Sequence, residues 1–234
     1  MASLKPLVLH GHDSAPNPPK VAIILEELNL PYEKVDYDFV QIKQEPFISL
    51  NPNGRMPALV DPNNNDITLF ESGAIIDYLV ATYDKSYTIS YLPSDPKYHL
   101  ARCWEHFQMS GQGPYFGQKV WFERNHPEKI ESAIERYRNE MKRVTGVIDS
   151  HLKKEGNEYL TGDRVTYADL MFIPWIAIQP VFNPEVDLSE YKTYGAWVER
   201  LMKRPAVKTV VDVMMAGHKN PPKIDGLDLG AVME

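Results

Sequence analysis

One cysteine, Cys103, stands among 234 residues. A single thiol excludes an internal disulfide framework and any CxxC redox centre, and it fits a reducing compartment. Cys103 itself reads as a small buried hydrophobe. Positive charge is also scarce: 25 Lys and Arg against 32 Asp and Glu give a net charge of −7. That balance disfavours a general nucleic-acid surface. Nothing approaches 18 apolar residues in a row, so no membrane span is expected. The apolar patch in residues 1–9 lacks the long hydrophobic stretch of a signal peptide, and the expected location is the cytoplasm. Internal repeats and low-complexity segments are absent too. What remains is 43% hydrophobic and 24% charged, an ordinary globular composition with room for one large or two modest domains.

The N-terminal part alternates short apolar runs with turn chemistry. Leu7-Val8-Leu9 predicts a strand, followed by the bend-rich loop Gly11–Pro19, in which Pro18-Pro19 can pre-form the first turn of a helix. Lys20–Asn29 carries Val21, Ile24, Leu25 and Leu28 on one stripe and predicts that helix; Tyr32–Phe39 predicts a second strand. Gln41–Ser49 reads as a loop or a short irregular helix. The densest turn signals lie in Asn51–Ser72. Pro52-Asn53-Gly54 opens it, Pro57 precedes the apolar run Ala58-Leu59-Val60, and a polar turn leads to Ile67–Phe70. Ser72 is placed to cap a helix over Gly73–Tyr83. The order βαβ then ββα implies a four-stranded mixed sheet with helices attached.

Beyond the linker-like stretch Asp84–Lys97 the period becomes helical. Pro96–Gln112 predicts one helix with Ala101, Trp104 and Phe107 inward, and the aromatic segment from Tyr115 continues to Arg124. Pro127 is placed to start a helix carrying Ile134, Met141, Val144 and Ile148 at helical spacing. Thr166–Asp169 has the spacing of a capping box, with aspartate in place of Glu or Gln. The apolar helix Leu170–Gln179 contains Pro174, which predicts a kink. Helices over Ser189–Met202 and Pro205–Met215 and a polar Gly/Pro-rich tail complete the chain. Two domains are expected, an α/β domain over residues 1–86 and an all-helical one over 96–220.

Five segments together resemble the cytosolic glutathione transferases, and among them the fungal Ure2p-like group. They are SAPNPPKVAIILEEL at 14–28, NPNGRMPALVD at 51–61, ESGAIIDYL at 71–79, YLTGDRVTYADLMFIPW at 159–175 and RPAV at 204–207. The resemblance covers nearly the whole chain. It implies a thioredoxin-like N-terminal domain and an all-α C-terminal domain. It also implies a cleft for glutathione and a second substrate, a homodimer, and no metal.

The resemblance also assigns residues to the parts of glutathione. Glu71 pairs with the γ-glutamyl ammonium, and Ser72 offers a hydroxyl and an N–H at a helix start, where donors are unpaired. The bland alternative is that the pair only caps the helix. Met56 presents its backbone to the cysteinyl part. A cis bond to Pro57 would turn those groups outward, against a general frequency of about a few per cent for such bonds. The thiolate is the nucleophile, favoured by a donor and by the positive end of the first helix. Residues 11–19 hold neither tyrosine nor cysteine, which leaves Asn17 and Ser14. In the Ure2p-like group the asparagine of the SAPN motif approaches the sulfur. Asn17 would stabilise the thiolate without acting as a base, Ser14 is its rival, and a purely conformational role in the bend is the alternative for Asn17. His10 and His12 read as loop-facing or structural. For the glycyl carboxylate, Ile42 stands where a histidine is common, so Lys43 takes that part, with Gln44 second; Arg55 adds positive field or lies on the surface. The second-substrate candidates are His106, Ser110, Tyr115, Phe116, Trp121 and Arg124, each equally compatible with a core position. Asp169 resembles the family's structural capping aspartate.

Conjugation of the thiolate to a small electrophile is thus the expected activity. Glutathione-dependent disulfide reduction or peroxide reduction is the rival, and addition of glutathione to a reactive fungal metabolite is a third possibility. A non-enzymatic role is the alternative from a different class, since the Ure2p-like group includes a nitrogen regulator that binds a transcription factor. The absence of an Asn/Gln-rich N-terminal extension argues against prion-like behaviour.

Overall fold

The structure, a computed structural model, describes residues 4–219. The first three residues and the polar tail beyond residue 219 lie outside the described residues. The chain forms two compact units.

The first unit contains β1 (Leu7–Gly11), α1 (Asn17–Glu27), β2 (Tyr32–Asp36), a 3₁₀ turn at Gln41–Lys43 and α2 (Phe47–Leu50). β3 (Ala58–Asp61), β4 (Ile67–Phe70) and α3 (Ser72–Tyr83) follow. The sheet order is β2-β1-β3-β4. β1 and β2 are parallel, and β3 runs antiparallel to both β1 and β4. This is the four-stranded mixed sheet expected from the order of elements, and it is the thioredoxin-like arrangement. The last helix, α10 (Pro205–Lys219), belongs to this unit by its contacts with α1. The sequence boundary had grouped it with the helical domain. Val21 to Leu25 are five consecutive buried residues of α1. A helix apolar all round is buried on every side, and α1 packs against β1, α3 and α10 together. The turn between β3 and β4 is tied to α3 by Asp61, whose carboxylate accepts from the hydroxyls of Tyr78 and Tyr83 and from Asn63.

The second unit spans Tyr91–Arg204 and is wholly helical. It contains α4 (Pro96–Phe107), α5 (Gly113–Arg124), α6 (Glu131–Glu155), α7 (Tyr167–Leu170), α8 (Ile173–Phe182) and α9 (Lys192–Met202). The stripe Ile134, Met141, Val144, Ile148 and Leu152 of α6 is fully buried. At about 1.5–3 kcal/mol for each buried side chain of this size, that stripe is a principal source of the unit's stability. Asp169 completes the capping box with Thr166 and also accepts from the Leu160 N–H at 2.8 Å and from Trp197 Nε1 at 3.0 Å. It therefore serves the fold, as its place in the box implied.

Several details differ from the sequence reading, each for a local reason. The helix expected from Pro96 to Gln112 ends at Phe107 and passes through a π turn, Gln108–Gln112, into α5. The side chains of Gln108 and Gln112 are buried in that turn and bond to each other. The helix expected at Pro127 begins four residues later, with Ile130 in the N-cap position. Pro174 does not kink a continuous helix; it sits in the first turn of α8, after a break that separates α7. Ser72 is the first residue of α3 rather than its cap, which is Glu71. Cys103 is exposed, not buried. The buried positions of α4 are Ala101 and the acidic Glu105, which lies within 3.4 Å of the Tyr167 hydroxyl, and they face away from Cys103.

Candidate functional site

The strand register of the first unit gathers three chain segments at one end of the sheet. His10 pairs with Ala58 across β1 and β3, and Ala58 pairs with Phe70 across β3 and β4. The loop leaving β1, the Met56-Pro57 step entering β3 and the Glu71-Ser72 step leaving β4 are therefore neighbours. All the residues that the sequence assigned to glutathione emerge in this region or in the turn beside it.

Two glycines make the gathering sterically possible. A Cβ on Gly11 would stand 2.7 Å from Cγ of Pro18 and 3.7 Å from Cβ of Met56. Only glycine lets the end of β1 press against the first turn of α1. Gly54 has φ +60°, and a Cβ there would meet the Ile42 carbonyl oxygen at 3.0 Å and Cδ of Lys43 at 3.3 Å. This seats the 51–55 turn on the 3₁₀ turn and lays the Lys43 stem beside it, with the Lys43 side chain exposed. Buried Asn51 organises the turn. Its Nδ2 donates to the Arg55 carbonyl at 2.5 Å, its Oδ1 accepts from the Asn53 N–H at 2.9 Å, and its carbonyl accepts from the Gly54 N–H at 2.9 Å. The Arg55 side chain is exposed. Ile42 is buried with Ala15, Phe47, Met56 and Ala58 in a small apolar cluster beneath the site. The Met56-Pro57 bond is cis.

Glu71 adopts φ +67° and ψ 114°. A non-glycine residue in this region costs about 1–3 kcal/mol and is held there by its surroundings. Its carbonyl accepts the first bond of α3, from the Ile75 N–H at 2.9 Å. The first turn of α3 presents N–H groups without intrahelical partners and the positive end of the helix. Those are the requirements for an anion, and Glu71 adds a carboxylate for a cation. Behind Ser72 stands Lys20, 1% exposed, whose Nζ donates to Ser72 Oγ at 3.1 Å. Burial pulls the Lys20 pKa down to about 7, and the charge of Glu71 opposes that shift. The sequence reading missed Lys20. Its signal was a lone cation abutting the wholly apolar run Val21–Leu25.

In the thiol loop, the Ser14 N–H donates to His12 Nδ1 at 3.1 Å, which makes that nitrogen an acceptor. Ser14 Oγ lies 2.7 Å from the same nitrogen. The Ser14 hydroxyl is therefore engaged with the His12 ring. Asn17 begins α1, and Pro18 and Pro19 fill the next two positions. Proline carries no N–H, so the positive end of α1 offers fewer backbone donors than an ordinary helix. The second residue missed is His218 of α10, which hydrogen-bonds the Ser14 backbone. Burial lowers its pKa, and that bond opposes the shift. Its signal lay in long-range packing that no local pattern carries. His10 faces the Tyr37 ring at 5.8 Å and is half-buried, and burial lowers its pKa.

The second-substrate candidates are spread over the helical unit. Ser110 donates to the His106 carbonyl at 2.7 Å, while the His106 side chain is exposed. Tyr115 packs on Tyr137 of α6 at 6.2 Å between ring centroids, and Phe116 is 2% exposed in the core. Trp121 meets Phe122 and His126, each at 4.8 Å. Arg124 donates to the Val181 carbonyl at 2.7 Å and lies over the Phe182 ring. The structure pairs Ser110 with His106 but engages most of the six in the unit's own packing. Among the described residues no group of three or more His, Cys, Asp or Glu is placed to hold a metal, and no helix is long and apolar enough to cross a membrane.

The comparisons agree along the chain. The N-terminal domain of the glutathione S-transferases matches residues 5–81, and their C-terminal domain matches residues 106–205. A glutathione S-transferase-like protein, OpS6 of Beauveria bassiana, is 51% identical over 212 residues, covering 90% of this chain and 96% of its own. The glutathione transferase URE2P6 of Phanerochaete chrysosporium, solved with oxidized glutathione, superposes with a TM-score of 0.85 at 44% identity. That alignment covers 91% of this chain and 97% of the other. Ure2p solved with S-hexylglutathione gives 0.83 at 34% identity, over 90% and 100% of the two chains. The chain belongs to the glutathione S-transferase family, in its fungal Ure2p-like group.

Proposed function

We propose that the protein binds glutathione as the thiolate at the end of the thioredoxin-like sheet and conjugates it to a small apolar electrophile. The observation that carries this reading is the register that sets Met56-Pro57 across from Glu71-Ser72. A γ-glutamyl peptide needs an anion site, a cation site and a peptide edge in this order. The first turn of α3, the Glu71 carboxylate and the Met56 backbone supply them. Lys43 serves the glycyl carboxylate, with Arg55 contributing field.

The sulfur is assigned to Asn17 rather than Ser14. The Ser14 hydroxyl is already engaged with the His12 ring, 2.7 Å away. Pro18 and Pro19 remove two backbone donors from the start of α1. The side-chain amide of Asn17 is therefore the donor of choice for a thiolate there. A donor to an anion lowers the thiol pKa and raises the thiolate fraction at neutral pH. Catalysis then consists of thiolate attack on carbon, departure of the leaving group or protonation of the adduct, and orientation of the two reactants. The electrophile contacts are assigned to the helical unit. His106 is the candidate there with an exposed side chain, and the packed aromatics shape its surroundings.

A second reading, glutathione-dependent disulfide or peroxide reduction, is favoured by one observation: URE2P6 and URE2P8 of Phanerochaete chrysosporium were solved with oxidized glutathione. The protein is further assigned to the cytoplasm as a homodimer that engages neither nucleic acid nor membrane. The net charge of −7 and the family's habit support that assignment. Calorimetric titration with glutathione, followed by turnover with an aryl halide and with a glutathione mixed disulfide, tests both readings. Conjugation of the aryl halide supports the first, and turnover of the mixed disulfide alone supports the second. Absence of glutathione binding overturns both.

A further inference from the structure

We infer that His218, at the end of α10, is a positioning residue for the thiolate: it holds in place the loop that presents Asn17 to the sulfur. The inference rests on the glutathione reading above, with Asn17 at the sulfur, and adds a residue that acts through the backbone rather than on the ligand. Val207, Val210, Val211 and Met214 are buried and follow one another at the spacing of one helix face. That stripe is the buried side of α10, and α10 packs on α1. The next two positions of the same stripe are Gly217 and His218. The packing therefore carries them to the loop from which α1 starts. A Cβ on Gly217 would lie 3.7 Å from Cβ of Ser14, an ordinary packing distance, and His218 bonds the Ser14 backbone. The Ser14 N–H is given to His12 Nδ1. The backbone group that meets His218 is then the Ser14 carbonyl, and the imidazole donates to it.

The loop depends on such ties because the start of α1 supplies few of its own. Pro16 stands in the N-cap position without a side-chain bond, and Pro18 and Pro19 have no N–H to give. Within the loop, the Ala15 N–H donates to the His12 carbonyl at 3.1 Å and the Ser14 N–H to the His12 ring at 3.1 Å. Both bonds fold the loop on itself without fixing it to the rest of the unit. Ala15 does so from beneath, in the apolar cluster with Met56 and Ala58. Asp13 does so from β2 through Lys34 at 2.7 Å, an ion pair between partly exposed side chains. Pairs of that kind are worth about 0–1 kcal/mol. His218 holds the residue next to Ala15 from the α10 side. Leucine would complete the apolar stripe at 218 equally well, but it would leave the Ser14 carbonyl without this donor. A misplacement of about 1 Å in a reacting geometry can cost about 100-fold in rate, so a tie this close to Asn17 bears on catalysis. Burial holds the His218 pKa below the usual histidine value, and above pH 7 the ring acts as a neutral donor rather than as a charge.

The test compares His218→Leu, which keeps apolar volume and removes the donor, with His218→Gln, which keeps an N–H. The readouts are ultraviolet titration of the bound glutathione thiolate, kcat/KM, and the Kd of S-hexylglutathione, whose sulfur does not titrate. The groups that titrate around the loop, His12, Asp13 and Lys34, are the same in every variant. H218L is expected to raise the bound thiol pKa by about half a unit to one unit and to lower kcat/KM by roughly three- to tenfold. The S-hexylglutathione Kd should stay within about twofold of wild type, because the binding frame lies elsewhere, and H218Q should restore most of the loss. In an Asn17→Ala background H218L should add less than about half of its own effect, since it acts through Asn17. An unchanged titration in H218L, while N17A shifts it, overturns the role of His218 alone. So does full additivity in the double variant, or a loss in H218Q as large as in H218L, which would mark packing rather than the bond. A titration unmoved by N17A overturns the sulfur assignment and this inference with it, and failure of the wild-type protein to bind glutathione overturns the glutathione reading itself. Should H218L lose its far-UV circular dichroism, His218→Ala takes its place with the same expectations.

Discussion

The sheet end of the first unit and the aromatic face of the second were both marked as sites by their residue types, and the structure treats them differently. At the sheet end, every segment is delivered by strand register and by turns that have no freedom to go elsewhere. Gly11 has no room for a Cβ against Pro18, Asn51 ties its own turn, and Glu71 is held at positive φ. In the helical unit, Phe116, Tyr115, Trp121 and Arg124 spend their surfaces on neighbouring helices. On the proposed reading, cosubstrate recognition is built from backbone geometry. Second-substrate recognition has to be made from whatever the packing of helices leaves uncovered, and that can change with few substitutions.

Four substitutions test this division, beginning with the most damaging. Asp169→Ala removes the acceptor of four hydrogen bonds in a wholly buried position, those from Leu160, Trp197 and the two donors of Thr166. It is expected to cost about 3–5 kcal/mol in denaturant unfolding and to leave the glutathione Kd of the remaining folded protein unchanged. A large loss of affinity without loss of stability would show that the two units do not divide the labour in this way. Asn17→Ala removes a donor to an anion. We expect a roughly 10–100-fold fall in kcat/KM and a bound thiol pKa raised by about one to two units. Ser14→Ala should change kcat/KM less than about threefold, because its hydroxyl is already engaged with His12. Ultraviolet titration of the bound thiolate decides between the two residues, and a larger shift in S14A than in N17A would reverse the assignment. Arg124→Ala should alter glutathione kinetics less than about threefold and stability by about 1 kcal/mol or less. A tenfold rise in KM for the electrophile alone would restore Arg124 to the second-substrate site.

The same division governs what could be read from the sequence. The sheet, its mixed topology and the turns at its end were legible because prolines, glycines and polar turns act locally, and because the motif segments carry register with them. Lys20 was not recognised, since a charge at the start of an apolar helix is usually exposed. Its burial goes with its contact to Ser72 at the start of α3. His218 is 204 residues from Ser14, beyond any periodic signal. In the helical unit, periodicity found α6 but misjudged α4. Apolar patterning favoured Ala101, Trp104 and Phe107; Ala101 is buried, but the fold buries Glu105 and Gln108 rather than the two aromatics and leaves Cys103 to solvent. The π turn at Gln108–Gln112 shifts the helical phase in the segment that holds four of the six second-substrate candidates.

The buried ammonium of Lys20 also couples ligand binding to folding. Its pKa falls from 10.5 to about 7 on folding, so between those values the unfolded chain binds the additional proton. Lys20's contribution to stability therefore rises with pH across that window, and its full penalty is present below about pH 7. On the proposed placement of glutathione, an anion bound in front of Ser72 offsets part of that penalty. Glutathione should accordingly raise the melting temperature more at pH 6 than at pH 9 for equal saturation of the site, as thermal melts at the two pH values would show.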